Sequence, residues 1–321
     1  MALAAGPAPR VAGAPPLTMN ARGVPVGDAQ ARGTEQGAGL ALSGLGMALL
    51  QIMANVEGAR SRAGVEPVHQ MRVGFRRLRA ANALARSQGL SGFTEGLEVE
   101  IRWVSKLLAV ARDWDVIERE TWPAACHDAA DARRCAGVPA RIAADATRRH
   151  RALDRALHGA RFRHLALDLL WAVAQQRSEC SALPAPRRIA SVARATLGWR
   201  HAKLARAIRH AAQLAPEDRH RLRIDARKLR YLAELFAGHY PKRPVARYLR
   251  SLADLQTALG RQNDLRMSTR RLDRALRECE GAIRTRVAGI LERHAAATAS
   301  DLEKGLRRAC ARFERVSPFW A

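Results

Sequence analysis

The sequence predicts an all-α protein built as two similar helical bundles related by a pseudo-twofold axis. Three observations carry that prediction. Apolar residues recur at three- and four-residue spacing along most of the chain. No stretch alternates apolar and polar residues long enough to make a useful strand. A basic helical segment occurs twice, about half a chain apart.

Taken in order, residues 1–38 are dominated by Ala, Gly and Pro and are expected to be disordered, with Met19 an alternative start inside them. Leu40 to about Gly58 reads as an apolar helix through Leu45, Leu49, Ile52 and Val56. Gly64-Val65-Glu66-Pro67 breaks it, and Pro67 suits the first turn of the next helix, which runs to about Arg86. After a Gly/Ser-rich turn at 89–96, Leu97 to Ala111 carries Ile101, Val104, Leu107, Leu108 and Ala111 at helical spacing. Arg112-Asp113-Trp114-Asp115-Val116 reads as a turn and a new helix start, and 117–135 as a short helix interrupted at Pro123. Helices over 141–157 and 165–176 complete a first half of about 39–182. Leu183-Pro184-Ala185-Pro186 is a linker. The second half, about 187–321, is expected to hold helices over 189–214, 220–238, 245–259, 266–280 and 283–314.

The repeat sets the functional reading. His69, Arg72, Arg76 and Arg79 fall within an arc of roughly 80° on a helix, with Met71, Phe75 and Leu78 on a separate arc. His220, Arg223, Arg227 and Arg230 repeat the pattern, and Arg77 and Leu78 recur as Lys228 and Leu229. The two histidines lie 151 residues apart, while Asp115 and Asp264 lie 149 apart. Like charges one turn apart repel by a few tenths of a kcal/mol per pair, so a doubled basic face points to an anion. Gly74 lies inside the first motif helix at a cost of about 1 kcal/mol against Ala, which suggests close helix approach.

Charge agrees with this. The chain carries 55 Lys+Arg against 30 Asp+Glu, a formal net charge of +25. Polyanions are the partners such a charge favours. Only five of the basic residues are lysines, and guanidinium forks suit phosphate oxygens. The five cysteines are odd in number, irregularly spaced and form no C-x-x-C pair, which fits a reducing cytoplasm rather than a disulfide framework or zinc knuckle. No apolar run of eighteen residues was found, so no membrane insertion is expected.

Enzyme signals fail one by one. Glu98-Val99-Glu100-Ile101-Arg102 mimics a tunnel-triphosphatase carboxylate pattern but lies in a helix with Arg in place of Lys. No Walker-type loop is present. His127, His150, His158 and His164 do not join acids at metal-ligand spacing, and no Ser or Cys stands in a nucleophile context. Catalytic residues, a metal and a cofactor are therefore not expected, and a binding protein is.

The duplicated His-x-x-Arg helices, together with Arg112-Asp113-Trp114-Asp115-Val116 and Asn263-Asp264-Leu265, resemble the CHAD domain, the conserved histidine α-helical domain. The resemblance runs from about Leu40 to the C-terminus, without the CYTH triphosphatase found beside some members. It implies a helical domain that binds inorganic polyphosphate in a basic groove or pore and associates with polyphosphate granules. The residues it points to are His69, Arg72, Arg76, Arg77, Arg79, His220, Arg223, Arg227, Lys228 and Arg230. Secondary candidates on neighbouring helices are Arg102, Lys106, Arg200, Lys203 and Arg206; Arg112 and Arg261, beside acids, are expected to form turn-stabilising pairs. Nucleic acid is the alternative, weaker polyanion. Aromatic residues at 5% and the absence of Asn or Gln arrays on the motif helices disfavour stacking and base readout.

Overall fold

Among the described residues twelve α-helices follow one another, with no strand. The structure, a computed structural model, describes residues 37–183, 187–211, 214–277 and 280–321. Helices α1 (Gly37–Ala54), α2 (Val56–Arg60), α3 (Glu66–Ser87) and α4 (Glu95–Val116) open the chain. A π-helical turn, Ile117–Thr121, leads into α5 (Trp122–Ala125), α6 (Ala129–Arg134), α7 (Val138–His158) and α8 (Ala160–Ser181). The remainder holds α9 (Ile189–Ile208), α10 (Pro216–Phe236), a 3₁₀ turn at Ala237–His239, α11 (Lys242–Ala275) and α12 (Gly281–Arg315).

Local chemistry accounts for several of these boundaries. Proline occupies the first turn of α3 and α10, where its missing N–H costs nothing, and acids stand in the same turns. Thr94 caps α4 by accepting from the Leu97 N–H, and Asp128 caps α6 by accepting from Ala130 and Asp131.

The helices pack in a repeated order. In the first half α1 lies on α3, α3 on α4 and α4 on α7; in the second, α9 lies on α10, α10 on α11 and α11 on α12. The halves meet where α3 packs against α10. Met71, Phe75 and Leu78 are buried as their arc required. Between α1 and α3 the approach is close: a Cβ on Gly74 would come 2.7 Å from the Ile52 side chain and 3.3 Å from the Ala48 carbonyl. The main core takes residues from both halves, and so does a smaller cluster that joins Trp114, Ile117, Trp122 and Ile142 to Leu272, Leu276 and Ile290. The halves therefore share apolar interiors, and neither is a separate hydrophobic unit.

Several expected boundaries are corrected. Helix α1 begins at Gly37, inside the stretch assigned to disorder; residues 1–36 lie outside those described. The segment 112–116 is no turn. The buried seam Ile101–Val104–Leu108–Ala111 continues through Trp114 to Ile117, and no Gly or Pro interrupts it, so α4 runs on. Asp115 lies inside that helix and accepts from His150 Nε2 of α7 at 2.8 Å, both side chains buried. Pro123 sits in the first turn of α5 instead of interrupting a helix. Helix α11 passes unbroken through Gly260, because buried Leu252, Leu255 and Leu259 on one side and Leu272 on the other keep it packed. The side chains of 262–266, including Asn263 and Asp264 of the second acidic segment, lie outside the described residues. Finally, Gly37–Ala54 is eighteen residues without a charge and, by length and composition alone, long and apolar enough to cross a membrane. Half of it is buried in the protein, against α3 and α8, as a core helix would be.

Gly74→Ala should lower stability by about 1 kcal/mol or more, despite its gain in helix propensity, because Ile52 must yield. Gly305→Ala, on α12 with open space around its Cα, should instead raise it by about 0.5–1 kcal/mol. Urea unfolding of both variants gives the two signs.

Candidate anion-binding site

The basic faces of α3 and α10 converge. Arg227 of α10 lies within the electrostatic reach of Arg76 and Arg72 of α3 and of Arg223 on its own helix. Burial first, and those like charges second, pull its guanidinium down to about 10. Arg72 is likewise brought to about 10, by burial and then by Arg76. Both stay protonated at neutral pH. They are nonetheless cations held where cations are disfavoured, a condition that an incoming anion relieves.

Arg72 is fixed by helix α4. It donates to the Ala109 carbonyl at 3.0 Å and lies 3.7 Å from Asp113. Asp113 in turn accepts from Arg271 of α11 at 2.5 Å, so one carboxylate ties α3, α4 and α11 together. His69 is half-buried on the same face. Burial lowers its pKa, the Glu66 carboxylate opposes this, and Arg112, Arg76 and Arg72 lower it further. Arg79, half-buried lower down the face, donates weakly to Ser105 Oγ at 3.4 Å. Its guanidinium is pulled down by burial, with Glu98 opposing.

Arg112 had been assigned to a turn pair, but there is no turn. It sits on α4 close enough to His69 and Arg72 to depress both. Its guanidinium donates to Glu120 Oε1 at 3.2 Å. Glu120 belongs to the π-helical turn, a local underwinding often found beside functional sites. Nothing in the pattern of α4 marks Arg112; only the packing of α4 on α3 brings it to the cluster.

The remaining candidates divide by what they touch. Arg77 and Arg230 both reach Glu234, at 3.1 and 3.0 Å, and Arg77 also donates to Gln51 at 2.8 Å. Arg77 thereby clamps α3 to α10, while Arg230 pairs with Glu234 one turn along its own helix and holds that carboxylate in place. The histidines differ too: His220 is exposed where His69 is half-buried. Lys228 is exposed. On α9, Lys203 pairs with Asp225 of α10 at 2.8 Å, Arg200 feels the same carboxylate, and Arg206 is exposed. Arg102 lies 3.8 Å from Glu98 one turn away, and Lys106 is exposed.

The structure thus gathers His69, Arg72, Arg76, Arg112, Arg223 and Arg227 from three helices. Partly buried charges a few ångströms apart repel by roughly 1–4 kcal/mol per pair. A multivalent phosphate would replace that repulsion with charge-assisted hydrogen bonds. No group of three or more His, Cys, Asp or Glu able to hold a metal occurs among the described residues.

Comparison with known proteins agrees with this architecture. No curated protein sequence matches the chain. The crystal structure of the CHAD domain from the plant Ricinus communis superposes with a TM-score of 0.71 at 28% identity, over 85% of this chain and 91% of that one. PptA from Streptomyces chartreusis shares the fold, with a TM-score of 0.61 at 18% identity over 88% of this chain and 98% of that one. Residues 44–273 match the CHAD domain family, and the chain belongs to it.

Proposed function

We propose that this protein binds inorganic polyphosphate along the basic surface where α3, α4 and α10 meet, and does so without turning it over. The observation that carries the proposal is a pair of desolvated guanidiniums, Arg72 and Arg227, one on each motif helix, with Arg76 within electrostatic reach of both. Successive turns of a helix present cations about 5 Å apart, so a flexible phosphate chain lying along them meets one after another. Counterion release makes such binding strongly salt-dependent. His69, Arg79, Arg112 and Arg223 extend the surface, with His220, Lys228, Arg102 and Lys106 at its margins. Arg77 holds its two sides together through Glu234, which Arg230 orients from within α10.

The matching helix order of the two halves, α1–α3–α4–α7 and α9–α10–α11–α12, favours descent from one duplicated unit, with the paired motif faces meeting across a pseudo-twofold axis. On this reading the functional unit begins near residue 39. The protein works in the cytoplasm at the surface of polyphosphate granules. Nucleic acid is the second reading, favoured by one feature: Trp199 is 59% exposed, with the guanidinium of Arg200 at 5.2 Å and the Lys203 ammonium at 5.9 Å from its ring. Such a ring amid cations offers a base a stacking platform.

Competition titration at fixed salt should show long-chain polyphosphate displacing both duplex and single-stranded DNA of equal charge; equal affinities would favour the second reading. Parallel assay of released phosphate should stay at background. Arg72→Ala combined with Arg227→Ala should weaken polyphosphate binding at least about ten-fold and reduce the slope of log affinity against log salt by about 1.5. Far-ultraviolet dichroism should be unchanged; a loss of helicity would make those arginines structural.

The histidine adds a pH dependence. In the unliganded protein His69 titrates below its ordinary value, and a bound polyanion raises it. The complex then holds more protons than the free protein, so affinity should rise as pH falls through the interval between the two values. Titrations across pH 5–8 on wild type and His69→Gln test this. The variant should lose the slope that wild type shows.

A further inference from the structure

Helix α8 is apolar on both sides. Its inner face buries Phe162, Leu165 and Leu169 against the bundle. Its outer face leaves Leu167 62%, Leu170 56% and Trp171 73% exposed, three of the largest apolar side chains in contact with solvent. A helix that is hydrophobic all round normally has cover on every side. Helix α8 packs mainly on α1, α4 and α7. Its partner α1 is uncharged from end to end and also exposes Leu50 and Met53.

Within the arc of this face the charged residues have one sign. At 100° per residue, Arg163, Leu167, Leu170, Trp171, Ala174 and Arg177 fall within an arc of roughly 120°. Asp168 and Glu179 are turned roughly 100–120° from Leu167, and Glu179 is occupied by the Ser91 backbone and hydroxyl. The outer face is therefore leucine and tryptophan with arginine towards either end. A protein of net charge +25 would repel a second copy of itself brought to the same face.

We infer that the outer face of α8 docks on an acidic lipid surface, lying in the headgroup region with Leu167, Leu170 and Trp171 towards the acyl chains. Indole rings favour that boundary, having an apolar body and one N–H donor. Arginine in the same plane meets anionic headgroups, and apolar contact and electrostatic attraction together give peripheral binding without spanning the bilayer. This face shares no residue with the guanidinium cluster.

Vesicle co-sedimentation of the full chain tests the inference. Wild type should pellet more strongly with vesicles containing phosphatidylglycerol than with phosphatidylcholine alone. A measurable fraction should persist at about 0.5 M salt, where surface attraction is largely screened. Leu170→Gln combined with Trp171→Gln should reduce that fraction about ten-fold, the loss expected when roughly 1.4 kcal/mol of apolar contact is removed. Helical dichroism should be unchanged, because both side chains are exposed. The single change Leu167→Gln should give an intermediate loss. Absence of wild-type binding, or equal binding by the double variant, overturns the inference. So does light scattering that finds a wild-type dimer and a monomeric variant without vesicles, which would assign the face to a second copy of the chain. Binding confined to low salt would place the contact in the guanidinium cluster and overturn it as well.

Discussion

Arg72 and Arg76 of one helix and Arg227 of another are held side by side against their mutual repulsion and partly out of water. Everything around them serves to hold that arrangement. Repulsion of this kind can be sustained only by a scaffold whose apolar packing outweighs it. Here the packing is local and strong: Met71, Phe75 and Leu78 on the reverse of α3, Leu222, Ala226 and Leu229 on the reverse of α10, all buried. Gly74 lets α1 come close behind α3, the helix that carries the charges.

A second layer of constraint comes from carboxylates. Glu234 takes Arg77 from α3 and Arg230 from α10, and so fixes the spacing of the two basic faces. Asp113 takes Arg72 and Arg271, fixing α3 against α4 and α11. Glu120, brought round by the π-helical turn, takes Arg112. The acids thus sit at the margins, where they orient guanidiniums without neutralising the centre. One basic motif supplies two kinds of arginine, those paired with Glu234 and those gathered where α3, α4 and α10 meet.

The two halves are alike in order but not in detail. His69 is half-buried among guanidiniums, whereas His220 is exposed. Helix α8 lies beside the first half, and the second half has no counterpart among the described residues. Interior clusters that draw on both halves explain how they can differ this much: neither has to be stable alone, so each can specialise.

The sequence by itself determined that the chain is helical, which face of each motif helix is oily, and that the basic face occurs twice. These are local properties, set by spacing along a helix of fixed pitch. Gly74 could be singled out for the same reason: a residue that weakens a helix interior without benefit is unexpected there. What tertiary structure decided is everything that depends on which helices touch. Arg112 joins the cluster, and Arg77 leaves it for Glu234, because α3 packs on α4 and α10; no pattern along one helix encodes a neighbour. The unbroken passage of α4 through Asp113 and of α11 through Gly260 was hidden for a related reason. Polar residues and a glycine resemble a turn until the apolar residues on either side are found buried in one continuous seam. The exposed face of α8 was hidden as well, since its leucines and tryptophan follow the same spacing as a core helix, and only the absence of a packed neighbour sets them apart.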